Sequence, residues 1–234
     1  MGFGSSALAR PTSDDPQHLE RLGRVVLVDR PEAPNPGWVA AWCGDVGYEL
    51  VRTPAVPDAL LDGGPHGDAW PEVAMQLGAL SAAGSSVLLR RTALHERHGM
   101  RVVAAINDLT DDETVLTEAV ACATALGASL ELVHGVPLSF GERSVGLDDA
   151  VGRGLALLQS GREYLAGLAG ATATGISTRL LRVRPHELVN ELLDADLLVV
   201  GGARTEPAGR LGLVALSAMQ HAPCPVLLTP RRPR

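Results

Sequence analysis

Gly201 and Gly202 close an apolar run, Leu197 to Val200, and a helix-forming segment from Gly209 to Gln220 follows them. Glycines between a buried strand and a helix start leave backbone N–H groups converging on one spot, and the helix end adds partial positive charge. The chemistry open to such a stretch is the holding of an anion, above all a phosphate. The same stretch lacks several groups that a phosphate site uses, so its functional question is whether it still holds a nucleotide.

Other reactive residue types point to structure. His95, Glu96 and His98 cluster, but no third strong ligand accompanies them, and a solvated linker accounts for them. Asp111, Asp112 and Glu113, like Asp148 and Asp149, suit helix N-termini. His134 stands at a strand end, where a local hydrogen bond is the simplest role. His221 suits a helix C-terminus, and Cys224, between Pro223 and Pro225, reads as packed. No serine or cysteine sits in a nucleophile elbow. All 20 basic residues are arginine, which excludes Schiff-base chemistry and a phosphate-loop lysine.

Composition narrows the classes further. The chain has 234 residues, a net charge of −7 and 46% apolar residues, as a globular protein with a substantial core would. An acidic chain without an arginine cluster argues against a nucleic-acid partner. No run approaches the roughly 18–20 apolar residues of a membrane span, so no membrane partner is expected. Cys43, Cys122 and Cys224 have no metal-like spacing and read as free thiols in a reducing cytosol, which predicts a cytoplasmic protein.

The elements that would position the glycine stretch alternate. Val102 to Ile106 is a short buried strand. Thr110 and Glu113 predict a capping box opening a helix that Gly127 ends. Ser129 to Val136, Ile176 to Val183, Leu197 to Val200 and Val226 to Thr229 predict four more strands. Helices are expected from Asp148 to about Ala169, after Pro185 with Leu188, Val189, Leu192 and Leu193 as its apolar face, and from Gly209 to Gln220. Such alternation implies right-handed crossovers and a parallel sheet covered on both faces. Ligands then bind beyond the carboxyl ends of the strands, at the switch point.

The first hundred residues are thinner. Arg24 to Asp29 (RVVLVD) mirrors Arg101 to Asn107 (RVVAAIN), and Val73 to Leu89 faintly mirrors Ala215 to Leu228. Tyr48 to Arg52 is expected as a strand, and Trp38 and Trp42 are spaced to share a helix face. The expected organisation is a loose tail at 1–22, a truncated copy of the fold at 23–92, a linker at 93–100 and an intact domain at 101–231. Three strands alone make a poor core, so this half should lean on the other.

The capped helix after Ile106-Asn107, the LGASLELVHGV strand, the ADLLVVG strand from Ala195 and the HAPCPVLL run together resemble the universal stress protein family. The likeness covers Arg101 to about Pro230, and Arg24 to Leu89 weakly. It implies a doubly wound, five-stranded parallel α/β domain of Rossmann-like type. Nucleotide-binding members carry an aspartate after the first strand, and Gly-x-x-Gly, nine residues, then Gly-Ser or Gly-Thr after the fourth. Here Asn107 stands at the first position with Asp108 beside it, and Gly201 matches the first glycine with Gly202 next to it. Arg204 replaces the second glycine. Gly212 matches the late glycine in a loop two residues short, and Leu213 replaces the hydroxyl residue. A side chain at a glycine position blocks close approach of backbone to phosphate, while Arg204 and Arg210 restore some charge. The resemblance also implies that backbone at Gly135 and Val136 meets adenine.

The expectation is a stress-associated regulatory or interaction module, not an enzyme, with weak or lost nucleotide binding. No cofactor is required, and ATP is the candidate ligand. The alternatives are an ATP/AMP-binding protein with weak hydrolysis, or a site for another anionic ligand. Self-association or an internal pairing of the halves is expected through Ser86 to Arg90 and Val226 to Thr229, with protein partners beyond that.

Overall fold

Period-2 alternation of apolar side chains decides the architecture. In Arg24–Val28 (β1), Val26 and Val28 enter one core while Val25 and Leu27 enter the other. The same split divides Val103 from Val102 and Ala104 in Arg101–Ala105 (β4), and Val200 from Val199 in Leu197–Gly201 (β7). Strands buried on both faces require helices on both sides. The computed structural model describes residues 23–30, 32–53, 70–90, 99–136, 147–169, 175–184, 186–189, 194–203 and 210–231.

The other strands are β2 (Glu49–Thr53), β3 (Ser85–Leu89), β5 (Ser129–Gly135), β6 (Ile176–Leu181) and β8 (Val226–Thr229). The eight form one sheet in the order β2-β1-β3-β8-β7-β4-β5-β6. Every neighbouring pair is parallel except β3 and β8, which run antiparallel with Val87 opposite Leu228, Leu88 opposite Leu227 and Leu89 opposite Val226. The fold is α/β, and its last five strands in sheet order, β8-β7-β4-β5-β6, form the parallel block anticipated for the C-terminal part. The block is not a separate sheet, because β8 continues into β3.

Helices α1 (Gly37–Val46), α3 (Glu113–Leu126) and α4 (Leu147–Ala169) cover one face. Helices α2 (Trp70–Ala82) and α5 (Leu213–His221) cover the other with Leu188 and Val189. Gly154 and Gly161 let α4 lie close to the sheet: a Cβ at Gly154 would sit 2.6 Å from Leu180. Trp38 and Trp42 do share α1, with ring centroids 6.1 Å apart, and Trp42 is fully buried against the residues of α3.

Several local expectations change. Residues 186–189 form a hydrogen-bonded turn, with Glu187 and Leu188 N–H donating to the Arg184 carbonyl; the rest of the helix expected after Pro185, 190–193, lies outside the described residues. The last helix begins at Leu213, not Gly209. The capping box does not form. The Asp108 carboxylate takes the N–H groups of Thr110 and Asp111, and α3 starts at Glu113 with no side-chain cap. His95, Glu96 and His98, read as part of a solvated linker, lie outside the described residues.

Candidate functional site

The sheet's order reverses at β4, since β5 lies on one side of it and β7 on the other. Chain leaving the carboxyl ends of β4 and β7 diverges there and opens a crevice. Ala105, Ile106, Asn107, Asp112, His134, Gly135, Leu188, Gly201, Val214 and Arg231 line it. The cleft measures about 60 Å³, room for a couple of waters and well below the roughly 300–1,000 Å³ of ordinary ligand clefts.

Asp112 organises the floor. Its carboxylate turns back from α3 and accepts the N–H groups of Asn107 at 2.7 Å and Asp108 at 3.2 Å. The other oxygen accepts Nη2 of Arg231 at 2.8 Å. The Asp112 side chain is 1% exposed, so the pair needs these hydrogen bonds to offset desolvation. Arg231 arrives from beyond β8, and its guanidinium crosses Gly201, where a Cβ would come within 2.4 Å of Nε. The glycine here admits an arginine. His134 sits alongside with Nδ1 2.8 Å from the Ile106 carbonyl, a local bond as its strand-end position suggested.

Of the residues singled out by sequence, Asn107, His134, Gly135 and Gly201 line the cleft. Asp108 spends Oδ1 on the α3 approach. Val136 is buried, and its N–H donates to the Leu181 carbonyl. Gly202 donates to the Thr229 carbonyl at 2.8 Å, and Ala203 N–H donates to Ser81 Oγ of α2 at 3.2 Å. Gly212 is the N-cap residue of α5, Arg210 is exposed and Leu213 is 72% exposed. Arg204 lies outside the described residues.

Asp112, Arg231 and Ser81 were missed. A signal for Arg231 existed: arginine follows the apolar run in both mirrored segments, Val87-Leu88-Leu89-Arg90 and Val226-Leu227-Leu228-Thr229-Pro230-Arg231. Ser81 carried none, because its partner is 122 residues away. Among the described residues no group of three His, Cys, Asp or Glu side chains is placed to hold a metal, and no helix is long and apolar enough to cross a membrane.

A second polar cluster lies away from the cleft, between α1, α3 and the approach to β2. Glu118 is 5% exposed and accepts the Tyr48 hydroxyl through Oε1. Burial pushes its carboxyl above the ordinary range. Tyr48 and the Trp42 indole pull it partly back, although Trp42 Nε1 and Glu118 Oε2 do not meet hydrogen-bond geometry. Burial and then the Glu118 charge lift the Cys43 thiol to about 11 and the Cys122 thiol well above its usual value. Thiols held protonated in this way are inert nucleophiles.

The sequence model of the universal stress protein family matches residues 100–230. No curated protein matches the chain. Among solved structures, a universal stress protein from Archaeoglobus fulgidus is similar at 25% identity and TM-score 0.47, over 56% of this chain and 99% of its own. A functionally unknown protein from Pseudomonas aeruginosa is similar at 16% identity and TM-score 0.49, over 91% of this chain and 94% of its own. A universal stress protein in complex with cAMP is similar at 24% identity and TM-score 0.42, over 56% of this chain and 96% of its own.

Proposed function

The chain belongs to the universal stress protein family through residues 100–230, and from that premise we propose a regulatory or interaction module in which nucleotide binding is weak or lost. One observation carries the reading: the groups that would greet phosphate are already engaged. Arg231 crosses Gly201, the Gly202 N–H serves Thr229, and the Ala203 N–H serves Ser81. A ligand would have to displace internal hydrogen bonds, which leaves buried donors unpaired at about 1–3 kcal/mol each.

On this reading residues 23–92 are a truncated copy of the 101–231 domain, with the two middle strands missing. β1 mirrors β4, β2 mirrors β5, and β3 mirrors β8. The antiparallel β3–β8 pair then joins two like edges, and the edge of β8 that would serve self-association is used inside one chain. The protein works in the cytoplasm, without turnover, through its surfaces and protein partners.

The test is equilibrium binding of labelled ATP and AMP to the full chain. No binding at millimolar nucleotide is expected. Micromolar affinity, weakened by Arg210→Ala, would overturn the reading in favour of an ATP/AMP-binding protein. Phosphate release above a protein-free blank would favour a weak hydrolase.

A further inference from the structure

Asp112 and Arg231 face each other across the crevice in a way that hides a cation. We propose that Arg231 is a masked oxyanion site: its guanidinium is directed over Gly201 toward a phosphate-class group, and Asp112 keeps it neutralised until the pair is broken. The inference rests on the reading of weak or lost nucleotide binding and assigns its cause to one ion pair.

Three observations support it. Arg231 Nε is buried in the cleft with no hydrogen-bond partner, while Nη2 is committed to Asp112 at 2.8 Å. A buried arginine donor without an acceptor is a standing cost that an entering oxyanion would relieve. Next, the backbone is already anchored, since Thr114 Oγ1 donates to the Pro230 carbonyl at 2.6 Å. Asp112 is likewise held by the N–H groups of Asn107 and Asp108. Unmasking therefore requires a side-chain swing and no rebuilding of loop or strand. Last, the cleft of about 60 Å³ is far smaller than an ordinary ligand cleft, as suits a small group.

The N-terminal half carries a comparable pair with a different outcome. Arg90, directly after β3, meets Asp29, directly after β1, at 2.8 Å. There Nη1 also donates to the Pro34 carbonyl, so the pair reads as a fastener. The Arg231 pair differs in leaving a buried donor open.

Asp112→Asn tests the proposal in the full chain. Its amide oxygen can still accept Asn107 and Asp108, while its NH2 replaces the acceptor facing Arg231 and releases the guanidinium. Inorganic phosphate, followed by calorimetry, should bind D112N about ten-fold more tightly than wild type or better. The gain should vanish in D112N/R231A. No gain in D112N, or a gain that survives in the double variant, overturns the proposal. An accompanying gain with labelled ATP would identify nucleotides as a source of the phosphate group; a gain with inorganic phosphate alone would identify the free ion. If D112N melts early, the wild type decides: the Arg231 Nε–H resonance should move with added phosphate and not with equal chloride, and an unmoved resonance overturns the site. Micromolar ATP binding by wild type would sink the reading above, whereas absence of the D112N gain sinks only the masked site.

Discussion

Glu118 shows how a single ionisable side chain carries information that composition hides. In sequence it is one more acid on an amphipathic helix; in the fold it is buried against Tyr48, Trp42, Cys43 and Cys122. Its folded pKa is raised, so the folded state holds the proton more tightly than the unfolded state. Stability should then be greatest below the unfolded carboxyl value of about 4.3 and fall as pH rises from there through the folded value. Glu118→Gln keeps an acceptor for the Tyr48 hydroxyl and removes the charge. Urea melts at about pH 5 and about pH 8 should show the wild type losing stability at the higher pH and the variant losing less. Parallel losses in the two proteins would refute the assignment. Asn107 and Gly201 were legible as cleft residues because strand ends are readable from apolar runs. Arg231 was passed over, since an arginine after each mirrored apolar run marks the likeness of the two segments but not the side chain it meets.

At the scale of elements, the turn after β7 explains why a glycine stretch need not be a phosphate cradle. A Cβ on Gly202 would lie 2.0 Å from Ser81 Oγ and 2.9 Å from the Thr229 carbonyl. This glycine is required by the close approach of α2 and β8. Gly202→Ala should lower stability by about 1–3 kcal/mol, read as a lower urea midpoint; an unchanged midpoint would mean that α2 does not seat on the turn. The strands were legible because β-branched and leucine runs bounded by Gly, Pro and Asn leave few alternatives. After Pro185 the described residues form a turn, which buries both Leu188 and Val189 as their apolar spacing required.

For the whole molecule, the junction between β3 and β8 sets behaviour. Val87, Leu88, Leu227 and Leu228 are at most 1% exposed, so the seam lies in the middle of a shared core. Residues 99–234 hold five strands and both faces of their own core and should fold alone. Among the described residues, 1–98 hold three five-residue strands and should not, because so few strands bury too little apolar surface. Circular dichroism melts of the two fragments check this, and a cooperative transition from 1–98 would refute the truncated-copy reading. By itself the sequence determined the α/β class and the strands, which follow from local periodicity and short-range turn chemistry, and its motifs carried the resemblance to the family. Only the tertiary structure decided that the two halves form one sheet and that Arg231, Asp112, Ser81 and Thr229 engage the groups at the carboxyl ends of β4 and β7. Those contacts join residues far apart in the chain, and packing and charge pairing across such separations leave no periodic mark on a sequence.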